Sequence, residues 1–279
     1  GHVGVYLHDG LINIGGVYDN NFDVILINPP FGAHVEKDMR ITSSDIPIDR
    51  EKVLYEELFG SEYISKVYTP IKEYAQEIGK DKKIGNRILE LYQINNNSTE
   101  ILFIERCINL LKPGKRAGIV LPEGVLDNPA LERVRRFIET RARILNITSI
   151  PADVFLSSGA NIKPSLVFIE KYREDEIPER DYLLSVTKVN DAGISSNGLP
   201  SQNEELPIAA KEVASWLNGE TISKMVYTKI VNRSDLYSWS VKSIFDSANI
   251  NYNPLYNKVR IGSVVSMSKD MIDVEPNVE

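Results

Sequence analysis

Apolar and polar positions along this chain fall into runs of two kinds. Phe22 to Ile27 reads FDVILI, a near-continuous apolar run closed by Asn28-Pro29-Pro30. Such a run predicts a strand buried on both faces of a parallel sheet. Val3 to Leu7 alternate like a strand and end in a His8-Asp9-Gly10 turn. From Ser98 the period changes: Ile101, Ile104, Ile108 and Leu111 recur at helical spacing behind Ser98, a candidate N-cap, and Pro113-Gly114 closes the helix. Ala117 to Leu121 predicts a second buried strand, and Asn128-Pro129 opens a helix running to about Arg141. Two further strands are expected over Ile144 to Ile150 and Ser165 to Ile169. Strands alternating with helices predict an α/β fold with a parallel sheet and helical crossovers.

Two stretches interrupt this rhythm. Ala33 to Asn97 is polar and charged and reads as an insertion, mobile in part, with short amphipathic helices over Glu51 to Phe59 and Ile71 to Ile78. Beyond Tyr172 the pattern weakens: Asp191 to Leu206 reads as a loop, Glu212 to Leu217 as a short helix, and a new element begins near Trp239. The expected boundaries are therefore 1–172, with the insertion at about 33–97, a helix-and-loop connector over 173–240, and the start of another domain over 241–279.

Composition narrows the setting more than the function. With 42% hydrophobic and 25% charged residues the chain is of ordinary globular type. It has no apolar run of membrane-crossing length and no signal-peptide pattern, so a cytoplasmic protein with no membrane partner is expected. One cysteine, Cys107, excludes an internal disulfide and reads as a buried small hydrophobe. His2, His8 and His34 have no metal-ligand spacing, so no metal site is expected. The net charge of −7 does not point to nucleic acid, nor does it exclude it, because contact depends on local patches. Arg133, Arg135, Arg136, Arg141 and Arg143 form one such cluster, read either as a solvated face or as a contact to phosphates or to another subunit.

Candidate chemistry lies at Asn28-Pro29-Pro30-Phe31, directly after a predicted strand. In open α/β sheets ligands bind beyond the carboxyl ends of strands. The exocyclic amine of adenine is a poor nucleophile because its lone pair is delocalised into the ring. Two acceptors aimed at its hydrogens, the Asn28 side-chain amide oxygen and the Pro29 carbonyl, would localise that pair and orient it toward a methyl donor. The prolines fix φ and hold the acceptors in place. Phe31 offers a stacking face for a base extruded from a duplex. A rigid turn with Phe31 in the core is the structural alternative.

These segments together resemble the N6-adenine DNA methyltransferases of restriction-modification systems, in particular type I modification subunits and fused enzymes that carry their own specificity domain. FDVILINPPFG resembles the family's catalytic motif, TEILFIERCINLLKPGKRAGIVLPEGVL the helix, turn and strand that follow it, and PADVFLSSGANIKPSLVFIEK a later block. The tail NRSDLYSWSVKSIFDSANINYNPLYNKVRIGSVVSMSKD is similar, more loosely, to the start of a specificity domain. The resemblance implies an α/β fold: a partial S-adenosylmethionine-dependent, Rossmann-like methyltransferase sheet without its first strands, followed by the start of a target recognition domain. It implies S-adenosyl-L-methionine as cofactor, double-stranded DNA as substrate, and specificity and restriction subunits or domains as partners. Residue by residue, it makes Asn28, Pro29 and Phe31 catalytic. Phe31 and Phe155 become base-stacking residues, and Asp9 and Asn28 cofactor-binding. Phe155 could instead be plain core packing and Asp9 a turn aspartate.

One departure stands out. The family's glycine-rich cofactor loop precedes the catalytic motif, and only 27 residues precede Asn28 here. The chain by itself is therefore expected to bind the cofactor weakly and to be inactive. The competing readings are a non-catalytic DNA-binding or assembly fragment, and an N-methyltransferase acting on protein glutamine or on RNA.

Overall fold

The computed structural model describes residues 9–13, 17–41, 45, 49–70, 72, 87–156, 159, 162–201, 205–220 and 224–246. Its main elements in chain order are β1 (Phe22–Ile27), α1 (Asp49–Phe59), α2 (Thr99–Leu110), β2 (Leu111–Pro122), α3 (Glu123–Asp127), α4 (Glu132–Glu139), β3 (Ala142–Ser149), α5 (Asp153–Leu156), β4 (Pro164–Lys171), β5 (Leu183–Lys188), α6 (Leu206–Leu217), β6 (Thr228–Asn232) and α7 (Lys242–Asp246). The strand predicted over Val3 to Leu7 and the helix predicted over Ile71 to Ile78 lie, apart from Lys72, outside the described residues.

The six strands form one sheet in the order β1-β2-β4-β3-β5-β6. β1 with β2 is parallel, as expected, and so is β3 with β5, a strand that had not been expected, but β4 runs antiparallel to both β2 and β3, and β6 antiparallel to β5. The sheet is thus mixed rather than parallel. A strand inserted beside its predecessor needs only a reversing connection, whereas a parallel neighbour needs a full crossover. The residues between β3 and β4, including the short α5, make that reversal.

β1 corrects a second expectation. Among the described residues it is an edge strand, and its burial alternates: Val24 is 66% and Leu26 78% exposed, while Ile25 and Ile27 pack against the core. A near-continuous apolar run therefore marks a strand here, but not one covered on both faces.

The organising element is α2. Ile101, Leu102, Ile104, Cys107, Ile108 and Leu110 are buried along it, and so are Glu105 and Arg106. The two charges are buried because each is consumed by backbone groups. Glu105 accepts the N–H groups of Gln93 and Ile94, both at 2.9 Å. Arg106 donates to the carbonyls of Gly10 (3.0 Å) and Ile12 (2.7 Å), to the Asn13 side chain, and to Asp19. Burial pushes the Cys107 thiol up to about 12.

The stretch read as an insertion is tied in by the same helix. Ile41, Tyr63, Val67, Tyr68, Ile88, Tyr92 and Ile94 are all buried in the central core. The Tyr92 hydroxyl donates to Leu11 O at 2.6 Å. Its described part is packed structure, with polar residues outward and a sparse set of aromatic and aliphatic anchors inward.

Residues 173–240, expected to be a connector, supply β5, β6 and α6 to the sheet unit. Asn146 donates to Ser185 Oγ (2.8 Å) and Thr187 Oγ1 (3.2 Å), and Trp216 Nε1 to Leu145 O (3.0 Å). Trp239 and Val241, near the expected start of a new domain, are buried in the same core. The chain divides at Asp246, and the second unit, Asp246–Glu279, lies outside the described residues beyond its first residue, as does most of the segment read as a target recognition domain.

Candidate functional site

Asn28 follows β1 at the carboxyl end of the sheet, where the register puts Ile27 opposite Ile119 of the parallel β2. Its side chain is exposed, Pro29 is buried, Pro30 exposed and Phe31 half-buried. Gly32 follows at φ +70°, a left-handed turn that an L side chain resists, so the loop reverses immediately after the aromatic.

Four contacts hold this loop against the start of α2. The Thr99 hydroxyl lies 2.9 Å from the Pro30 carbonyl oxygen and 3.0 Å from that of Ala33, sharing its one proton between them. The Thr99 N–H also donates to Ala33 O at 3.0 Å, and Val35 N–H to Asn97 O at 2.8 Å. His34 and Ser98 form an isolated antiparallel bridge. Ser98 is the N-cap residue, as its position predicted, but its side chain makes no cap bond. The next residue does the anchoring, and the sequence reading missed it. Its only signal was two adjacent hydroxyl residues at a helix start.

Phe31 and Phe155 are brought together. Their ring centroids lie 6.2 Å apart at an interplanar angle of 84°, an edge-to-face contact. Phe155 is half-buried on the short α5. A base held between two ring faces needs them parallel and about two stacking spacings of roughly 3.4 Å apart. The pair as it stands is edge-to-face and does not present two parallel faces.

Asp9 is not drawn into this cluster by any contact among the described residues. Its carboxylate accepts the Leu11 N–H at 2.9 Å and its carbonyl the Ile12 N–H at 3.2 Å, the pattern of a turn aspartate. The neighbouring Gly10 sits against Phe103, four residues along α2 from Thr99, or about 6 Å at 1.5 Å rise per residue. A cavity of about 250 Å³ lined by Asn13, Asp19, Lys66, Arg106 and Asn109 lies beside the residues leading into β1, the end of the strand opposite Asn28. It is not part of the Asn28 site.

The arginine cluster is largely spent on the protein itself. Arg135 donates to Val125 O and Asn128 O, both at 2.9 Å, and Arg143 to Glu176 at 3.0 Å. Arg136 pairs with Glu132, while Arg141 reaches Gln93. Only Arg133 keeps an exposed guanidinium for which no contact is recorded in the structure. Among the described residues no helix is long and apolar enough to cross a membrane, and no group of three or more His, Cys, Asp or Glu is placed to hold a metal ion.

The sequence profile of the N-6 DNA methylase family matches residues 63–249, more than half of the chain, beginning after the Asn28 loop. No curated protein matches the sequence. Among solved structures, a chain from a type I restriction-modification assembly aligns with a TM-score of 0.50 and 21% identity, over 89% of this chain and 40% of its own length. A modification subunit attributed to a type I restriction enzyme of Vibrio vulnificus YJ016 gives a TM-score of 0.45 and 16% identity, over 76% of this chain and 34% of its own. A protein of Listeria monocytogenes attributed to the class I S-adenosylmethionine-dependent methyltransferases gives 0.41 and 18%, over 75% and 45%. The chain thus spans less than half the length of each of these structures.

Proposed function

The chain belongs to the N-6 DNA methylase family, and from that premise we propose that its Asn28 loop is the amine-binding part of a site that methylates adenine N6 in double-stranded DNA, within a restriction-modification system. The observation that carries the reading is the exposed Asn28 amide at a strand's carboxyl end, with Phe31 beside it in contact with Phe155.

Asn28 Oδ1 and the Pro29 carbonyl accept the two hydrogens of the exocyclic amine and leave its lone pair pointing out of the base plane. S-adenosylmethionine supplies an electrophilic methyl group. As the amine forms its new bond it gains positive charge, and both acceptors then bind it more strongly than in the ground state, which is what lowers a barrier. The nitrogen–methyl bond forms as the cofactor's methyl–sulfur bond breaks to leave a neutral thioether, and one proton then leaves the nitrogen for solvent. Phe31 stacks on the extruded base, and Phe155 closes on its other face. The residues present fit the cofactor in part: Asn28 is available at the strand end, whereas one Asp9 oxygen is engaged in its own turn. By analogy with the type I relatives, specificity and restriction subunits or domains are the expected partners.

The test is product analysis. Full-length protein, labelled cofactor and duplex DNA of mixed sequence are incubated, and the digested nucleosides are separated. Label in N6-methyladenine supports the proposal. Label in protein glutamine or RNA, when those are supplied instead, overturns the DNA assignment.

A second expectation concerns the aromatic pair. Phe155→Ala weakens retention of a flipped base by about 1–3 kcal/mol, the usual worth of one stacking contact. A fluorescent adenine analogue at the target position reads it. An unchanged signal would return Phe155 to simple packing.

A further inference from the structure

We infer that Thr99 is a positioning residue for the methyl-transfer site, holding the Pro29 carbonyl and Asn28 in register through the Pro30 carbonyl. The inference rests on the proposed role of the Asn28 loop. The geometry runs through few joints. Thr99 Oγ1 sits 2.9 Å from Pro30 O and 3.0 Å from Ala33 O, clamping the loop on both sides of the Phe31-Gly32 turn. Back from the clamped Pro30 carbonyl, the Pro30 ring locks φ and the peptide bond is planar, so a single rotation, Pro30 ψ, separates that carbonyl from the Pro29 carbonyl. The Pro29 ring removes a further rotation, and only Pro29 ψ is added before the Asn28 backbone is reached.

The anchor itself is stiff. Thr99 is the first residue of α2, whose following turns are buried at Ile101, Leu102 and Ile104. Its backbone N–H is also committed to the loop, at Ala33 O. A β-branched side chain has few χ1 states, so the hydroxyl is held where the helix puts it. Pairing Pro30 O with Thr99 also gives that carbonyl a partner of its own, so that the loop presents Pro29 O and the Asn28 amide to the amine.

Thr99→Val keeps the shape and removes the donor, and Thr99→Ser keeps the donor. In full-length protein, Thr99→Val is expected to lower kcat for methyl transfer by about 10- to 100-fold, the scale of a misplacement near 1 Å. KM for DNA and for S-adenosylmethionine should stay within about threefold, because the loss falls on the transition state and not on binding. Thr99→Ser should restore kcat to within about threefold of wild type. Asn28→Ala is measured in parallel. An inactive Asn28→Ala with a fully active Thr99→Val overturns the positioning role alone, whereas an active Asn28→Ala removes the site on which it rests. Equal impairment in the Ser and Val variants, or a loss of kcat that tracks a fall in Tm, makes Thr99 merely structural and also overturns the inference.

Discussion

Replacing Asn28 with alanine is expected to reduce single-turnover methyl transfer by at least about 10²-fold, the usual cost of deleting one preorganised hydrogen-bonding group aimed at developing charge. Asn28 is exposed at the end of β1, so Tm should hold. Binding to duplex DNA should hold as well, since affinity for DNA comes mostly from the phosphate backbone. The informative result is therefore a split: normal stability and normal gel retention with transfer nearly abolished. Asn28→Asp keeps an acceptor and should fall between alanine and wild type. Transfer at wild-type rate in the alanine variant would sink the assignment of the site.

The largest stability effect is expected at Trp239. It is fully buried, its N–H donates to Leu126 O at 2.9 Å, and its Nε1 donates to Glu139 at 2.7 Å. The same Glu139 oxygen receives Arg233 Nε at 2.7 Å, so one ring ties the segment after β6 to α3 and α4. Trp239→Ala leaves a large cavity and strips Glu139 of one of its two donors. A cost of about 3–5 kcal/mol is expected, typical of such truncations. Trp239→Phe keeps most of the volume and loses the indole donor, which should cost about 1–3 kcal/mol for the acceptor left short. Urea midpoints at unchanged m-value measure both. A midpoint for Trp239→Ala indistinguishable from wild type would mean that the segment is not anchored there.

Sequence reading found the elements whose signal is local. FDVILI, the helical spacing of Ile101, Ile104 and Ile108, and the strand over Ala117 to Leu121 are marked by their own apolar pattern, and each appears in the fold, although FDVILI is not buried on both faces. It lost β5 and β6 because one buried face of β5, and the β6 residue Thr228 that meets it, are polar and break up the apolar run. Ser185 and Thr187 are fully buried, as is their partner Asn146 some 40 residues away, and Thr187 pairs with Thr228 at 2.9 Å. A polar side chain reads as solvent-facing until its partner is known. Trp239, at the end of the stretch read as a connector, was not placed in the core for the same reason, its partners Glu139 and Leu126 lying about a hundred residues upstream. At the site, Asn28, Pro29 and Phe31 were readable as candidates because motif and strand end are contiguous, and the structure brings Phe31 and Phe155 into edge-to-face contact. Thr99 was not, because its hydroxyl acts on a carbonyl 69 positions away.

β1 has a further consequence. It is paired on one side only among the described strands, and Val24 and Leu26 turn apolar surface outward beside that open edge. Five apolar residues and one charge, Asp23, make a ready template for any extended segment from another chain. Asp23 is the only brake, and it is itself bound by Lys112 at 2.9 Å and Lys115 at 3.2 Å. In dilute solution the edge is a hazard of self-association. In an assembly it is an opportunity, because a strand laid along it would end beside Asn28 and stiffen the loop that follows from the edge side of the sheet.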